Sequence, residues 1–123
     1  MDSDWRRFCR RREFAVSGKE ILVNLHDGRR HRVLVEDMDE AYRLTAIVVR
    51  SGSVSGVDDF PLRTWERNRE TELVGFRIDA RGRLVGESWV PKAGLSASEF
   101  QLYVYAVAAE CDRYEYELTG NDA

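Results

Sequence analysis

The residues of this chain best suited to chemistry sit in a few short stretches. His26 and His31 flank Asp27-Gly-Arg-Arg. A four-residue loop would set two imidazoles near one carboxylate, which invites comparison with a metal site. Structural zinc wants four ligands, however, and neither Cys9 nor Cys111 has a partner at ligand spacing. An exposed hairpin without metal is expected. EDMDE gathers Glu36, Asp37, Asp39 and Glu40, but it lacks the glycine and distant glutamate of a calcium loop and reads as a solvated turn. SGSVSG is no phosphate loop, because no Lys-Ser/Thr follows its second glycine. Val54 stands where a nucleophile elbow needs serine. No catalytic residue, cofactor or metal is assigned, and a non-enzymatic protein is expected.

The remaining candidate is WRRFCRRREF, residues 5–14, with five arginines around Trp5 and Phe8. Arg6, Arg7, Arg10 and Arg11 could contact phosphates, and Trp5 or Phe8 could stack on bases. On a helical wheel Phe8 and Cys9 fall beside Trp5, those four arginines point away, and only Arg12 enters the apolar arc. The favoured reading is a short amphipathic helix whose arginines face water. The nucleic-acid reading is its alternative.

Composition agrees. The chain has 123 residues, 43% of them apolar and 33% charged, which suits one soluble domain over residues 1–123. A net charge of −3 disfavours a general nucleic-acid binder. Seventeen of the 19 basic residues are arginine, so each arginine is weak evidence of a phosphate site. The N-terminus lacks the apolar run of a signal peptide, no stretch is long enough to span a membrane, and the two cysteines show no redox spacing. A cytoplasmic setting is the expectation.

The elements that must carry any surface can be read from periodicity. KEILVNLHDGRRHRVLVED contains two β-rich runs joined at Asp27-Gly28, a hairpin signal. After EDMDE, Tyr42, Leu44, Ala46 and Val48 alternate as on a strand with one buried face. SGSVSGVDD reads as a loop, Asp58 or Asp59 as a cap, and LRTWERNRETEL as a polar helix anchored by Leu62, Trp65 and Leu73. GFRID and RLVGESWV form a second hairpin around ARG. Ser96 and Glu99 have capping-box spacing. From there Phe100, Tyr103, Val104, Val107, Ala108, Cys111, Tyr114 and Leu118 recur at helical intervals. Residues 119–123 read as a frayed tail. The predicted order is α-β-β-β-α-β-β-α: an antiparallel sheet of about five strands packed with helices.

The last helix carries more apolar surface than one sheet requires. Leu102, Tyr105, Ala106 and Ala109 form a second stripe nearly opposite the first. The N-terminal helix could cover it, a second copy could meet it in a homodimer, or a partner protein could.

FRIDARGRLVGESWVPKAGLSASEFQLYVYAVAA resembles the second half of type III secretion chaperone-like domains, including the YbjN-type branch. The matching residues are Asp79, Gly82, Pro91, Gly94, Leu95 and Glu99, and WERNRE with Asn68 resembles the middle helix of that group. The resemblance implies a cytoplasmic, usually homodimeric, chaperone-like protein that holds an extended segment of a partner protein. The arginine-rich first helix departs from the secretion members, and nothing here identifies a secretion system.

Overall fold

The computed structural model describes residues 5–25, 28–49 and 73–119. Six strands form one antiparallel sheet: β1 Phe14–Ser17, β2 Glu20–Asn24, β3 Arg30–Asp37, β4 Ala41–Val49, β5 Gly75–Ile78 and β6 Leu84–Pro91. Their spatial order is β1-β2-β3-β4-β6-β5. A 23-residue helix, α1 (Ala97–Thr119), lies across one face of the sheet. The expected α+β class therefore holds. The expected middle helix, with its cap at Asp58 or Asp59, and the loop before it lie outside the described residues. So do His26, Asp27 and all of the expected tail except Thr119, which ends α1.

Each turn follows from local chemistry. Ser17 pairs with Glu20 across Gly18-Lys19, and Gly18 takes φ 62° at the first central position, where two-residue hairpins demand glycine. At the β5–β6 turn the Asp79 carboxylate accepts hydrogen bonds from the Arg81 and Arg83 amides, both at 2.9 Å, while Gly82 sits at φ 78°. Ahead of α1, Ser96 Oγ accepts from the Glu99 amide at 3.2 Å and Glu99 Oε1 accepts from the Ser96 amide at 3.1 Å. That reciprocal pair is the predicted capping box.

Two expectations need correction. The sheet has six strands where about five were expected, because FAVS at β1 adds an edge strand. Only Phe14 of its four residues is buried, so no alternation announced it. The first helix is a single 3-10 turn, Trp5–Phe8. At about 100° per residue a continued helix would put Phe14 opposite Trp5. Both are buried, so the chain leaves the helix and bends, with Cys9 N–H on Arg6 O and Phe14 N–H on Arg11 O. Arg12, placed in the apolar arc by the wheel, is exposed.

The core lies between the sheet and α1. Ile21, Val23, Val33, Val35, Leu44, Val48, Leu84 and Val90 are essentially without solvent contact, as are Phe100, Val104, Val107, Ala108 and Cys111 on the helix. Burying each large side chain stabilises by roughly 1.5–3 kcal/mol. Phe100 centres one end: Trp5 stacks 6.2 Å away, Phe8 lies at 5.5 Å, and Tyr42 meets it edge-on at 5.7 Å. Phe76 and Tyr114 form a second edge-on pair at 5.0 Å.

Gly86 on β6 sets how closely α1 approaches. A Cβ there would stand 2.3 Å from Cys111 Sγ and 3.2 Å from the Phe76 ring. Burial pushes the Cys111 thiol well above its ordinary value, so this cysteine behaves as a small buried hydrophobe, as expected. Gly86→Ala is expected to cost about 1–3 kcal/mol through overpacking. Cys111→Ala in the same chain should recover part of that cost, with a coupling above about 0.5 kcal/mol in a urea-unfolding double-mutant cycle. Strict additivity would show that the close approach is not the constraint.

Candidate protein-binding surface

The N-terminal arginines fold back onto their own chain. Arg6 donates through Nε (3.1 Å) and Nη2 (2.5 Å) to the Gly18 carbonyl, and its guanidinium lies 4.6 Å from the Trp5 ring centre. Arg7 covers Phe8 at 5.0 Å. Arg11 binds the Glu13 carboxylate at 2.9 Å and reaches over Phe14 and Tyr105. Arg7 and Arg10 are exposed. Trp5 and Phe8, the proposed base-stacking residues, are committed to Phe100 on the inner stripe of α1.

The second stripe is partly open. Leu102 is 56% exposed, whereas Tyr105, Ala106 and Ala109 are half-buried, with Tyr105 and Ala106 packed at the core margin. Of the expected intramolecular cover, Arg11 reaches Tyr105, and Gln101 on the adjoining flank donates to the Phe8 carbonyl at 2.8 Å. The stripe runs on past Ala109. One further step of seven residues reaches Tyr116, 49% exposed on the same side of the helix. Beside this row, Glu110 Oε1 is buried and has no hydrogen-bond partner among the described residues; its other oxygen lies 3.5 Å from Arg113. This face of α1 thus offers an aliphatic end, an aromatic end, small residues and the exposed Arg113 between them, and one unsatisfied acceptor.

Two further features border the helix. The buried Asp112 carboxylate meets Arg29 Nε at 2.6 Å and lies 3.8 Å from His31 Nδ1. An open cleft of about 1080 Å³ is lined by the sheet, where Arg43–Glu36 and Arg83–Asp79 pairs alternate with Leu22, Leu34 and Val85, and by Glu115 of α1. His31, which the sequence set beside His26, is thus placed with a helix residue far along the chain. No described helix is long and apolar enough to cross a membrane.

No family model matches the sequence, and no curated protein shows significant sequence similarity to it. Solved structures do match. A chain of the ExoU–SpcU complex from the type III secretion system of Pseudomonas aeruginosa aligns over 98% of this chain and 96% of its own, at 13% identity and TM-score 0.59. The HopA1–SchA chaperone–effector complex aligns over 97% and 90%, at 10% identity and TM-score 0.54. YbjN from E. coli aligns over 87% and 78%, at 13% identity and TM-score 0.56. The fold is that of the type III secretion chaperones and YbjN. The residues that carried the resemblance in sequence hold this chaperone-like frame together: Asp79 and Gly82 shape the β5–β6 turn, Pro91 ends β6, Gly94 takes φ 70°, Leu95 packs at the core margin and Glu99 completes the cap.

Four carboxylates of the fold are held below their usual range. The Arg11 side chain lowers Glu13, Lys92 lowers Asp37, and the Arg83 amide lowers Asp79. Burial opposes the shift at Glu87, but hydrogen bonds from Arg77 and Trp89 outweigh it. A depressed folded-state value adds stability that is complete above the unfolded-chain value near pH 4 and is lost as pH falls through the folded value. Urea midpoints should therefore drop steeply below about pH 4. Asp79→Asn should flatten part of that drop; an identical acid limb in the variant would remove Asp79 from the account.

Proposed function

We propose that this protein is a non-enzymatic, chaperone-like binding module of the cytoplasm, which works as a homodimer and holds an extended segment of a partner protein. The observation that carries the reading is the open outer face of α1, in a fold shared with chains of chaperone–effector complexes. Leu102, Tyr105, Ala106 and Ala109, extended by Tyr116, form the contact between two copies. An isologous pairing of such faces buries the apolar row against itself. It also brings donors to Glu110 Oε1, whose unsatisfied burial otherwise costs about 1–3 kcal/mol.

The partner segment pairs with the free edge at β1. The two-residue loop makes Ser17/Glu20 and Ala15/Leu22 the hydrogen-bonded pairs, so the Val16 N–H and C=O point away from β2. An added strand would take those groups and leave side-chain pockets to select its sequence. Arginine-arm binding of nucleic acid has less support, because Arg6 and Arg11 are engaged within the chain.

Two variants separate the two contacts. Leu102→Asp with Tyr116→Asp should keep the circular dichroism spectrum and halve the mass seen by light scattering, from twice 14.2 kDa to one chain. Val16→Pro removes an outward N–H without touching the ladder, so it should leave the dimer intact and release stoichiometric protein partners recovered from nuclease-treated native lysate. Wild-type material that is monomeric, or that yields only nuclease-sensitive nucleic acid, would overturn the proposal.

A further inference from the structure

The cluster around Asp112 gathers ligand-type side chains from distant parts of the chain. Asp112 sits on the sheet-facing flank of α1 with a side chain only 5% exposed. Arg29 occupies its Oδ2 at 2.6 Å, which leaves Oδ1 facing His31 Nδ1 at 3.8 Å. The His31 side chain is 10% exposed, and its other nitrogen, Nε2, lies 2.7 Å from the Ile47 carbonyl oxygen. A carbonyl only accepts, so Nε2 carries the proton and donates. Nδ1 is then the ring nitrogen turned toward the Asp112 carboxylate. One helical turn beyond Asp112, Glu115 brings a third acceptor, and the three ligand atoms lie within 4.8 Å of one another.

The fold explains why this opening exists. Cα pairing of β3 with β4 runs from Asp37↔Tyr42 to Leu34↔Thr45 and stops there. Register with β6 shifts between Ile47 and Val49. Beyond the paired stretch, the imidazole of His31 takes the Ile47 carbonyl in place of a β3 amide.

We propose that His31 Nδ1, Asp112 Oδ1 and Glu115 bind a divalent transition cation of the zinc class, which clasps α1 to β3. One imidazole with two carboxylates is a borderline donor set that suits Zn²⁺ and gives too few oxygens for Ca²⁺. Donors on one tetrahedral ion stand about 3.4 Å apart, so the His31–Asp112 edge, at 3.8 Å, closes by a few tenths of an ångström and the widest edge, within 4.8 Å, by up to about 1.4 Å. The supporting contacts take the usual form: the ligand imidazole donates its other N–H to a backbone carbonyl, and Arg29 holds the second carboxylate oxygen. His31 and Glu115 both line the cleft on the sheet, which supplies an entry path and a place for a solvent ligand. The expectation of no metal came from the short supply of ligands near His31 in sequence; Asp112 and Glu115 reach it only through the fold.

The test is Zn²⁺ titration of the full chain by calorimetry, with thermal unfolding measured with and without Zn²⁺, and Mg²⁺ as the control ion. One Zn²⁺ per chain is expected, with a rise in Tm that Mg²⁺ does not reproduce. Glu115→Gln, at a half-exposed position, should keep the fold and weaken Zn²⁺ binding at least about tenfold. His31→Gln should do the same, and His26→Ala should change nothing. Absence of Zn²⁺ binding, affinity unchanged in folded Glu115→Gln, or affinity lost in His26→Ala would each overturn the site.

Discussion

Among the described residues, the fold depends on one long helix packed against the centre of a six-stranded sheet. α1 packs on β3, β4 and β6, the centre of the sheet, and its inner stripe from Phe100 to Tyr114 is buried along its length. At one end Phe100 gathers Trp5, Phe8 and Tyr42; at the other Tyr114 meets Phe76. Between them the missing side chain of Gly86 lets Cys111 come down onto β6. With the inner stripe committed, the helix has no freedom to rotate its opposite side away from water.

That geometry gives the helix three distinct sides. The inner side is core. One flank is fastened by polar clamps: Gln101 to the Phe8 carbonyl, Tyr105 beneath Arg11, and Asp112 to Arg29 beside His31. The outer side, from Leu102 to Tyr116, is neither core nor fully polar. The N-terminal arginines belong with the clamps, since Arg6 ties its turn to Gly18 and Arg11 ties it to Glu13. An arginine-rich stretch in an acidic chain here works as a seam.

The local parts of this architecture were legible in the sequence, and the long-range parts were not. Ser96 and Glu99 announced the start of α1, Asp-Gly and Ala-Arg-Gly marked hairpins, and alternation from Tyr42 to Val48 marked the central strand, because each signal acts within a few residues. β1 escaped notice because an edge strand with one buried residue has no period to detect. The first helix was overextended because a wheel cannot know that Phe14 must also turn inward. The Arg29–Asp112 contact joins residues 83 apart, and Gly86 matters only through Cys111, so nothing in their neighbourhoods in sequence hinted at either. The outer stripe was found but cut short at Ala109, one heptad before Tyr116.

In the proposed homodimer the outer face of α1 meets a second copy. Glu117 is exposed at the side of that face, and both native cysteines, Cys9 and Cys111, are buried. A nitroxide on Glu117→Cys therefore places one label per chain next to the contact. Double electron–electron resonance should give a single narrow inter-chain distance that disappears when Leu102→Asp and Tyr116→Asp are added. No inter-chain dipolar signal, or one that survives those changes, would contradict the account.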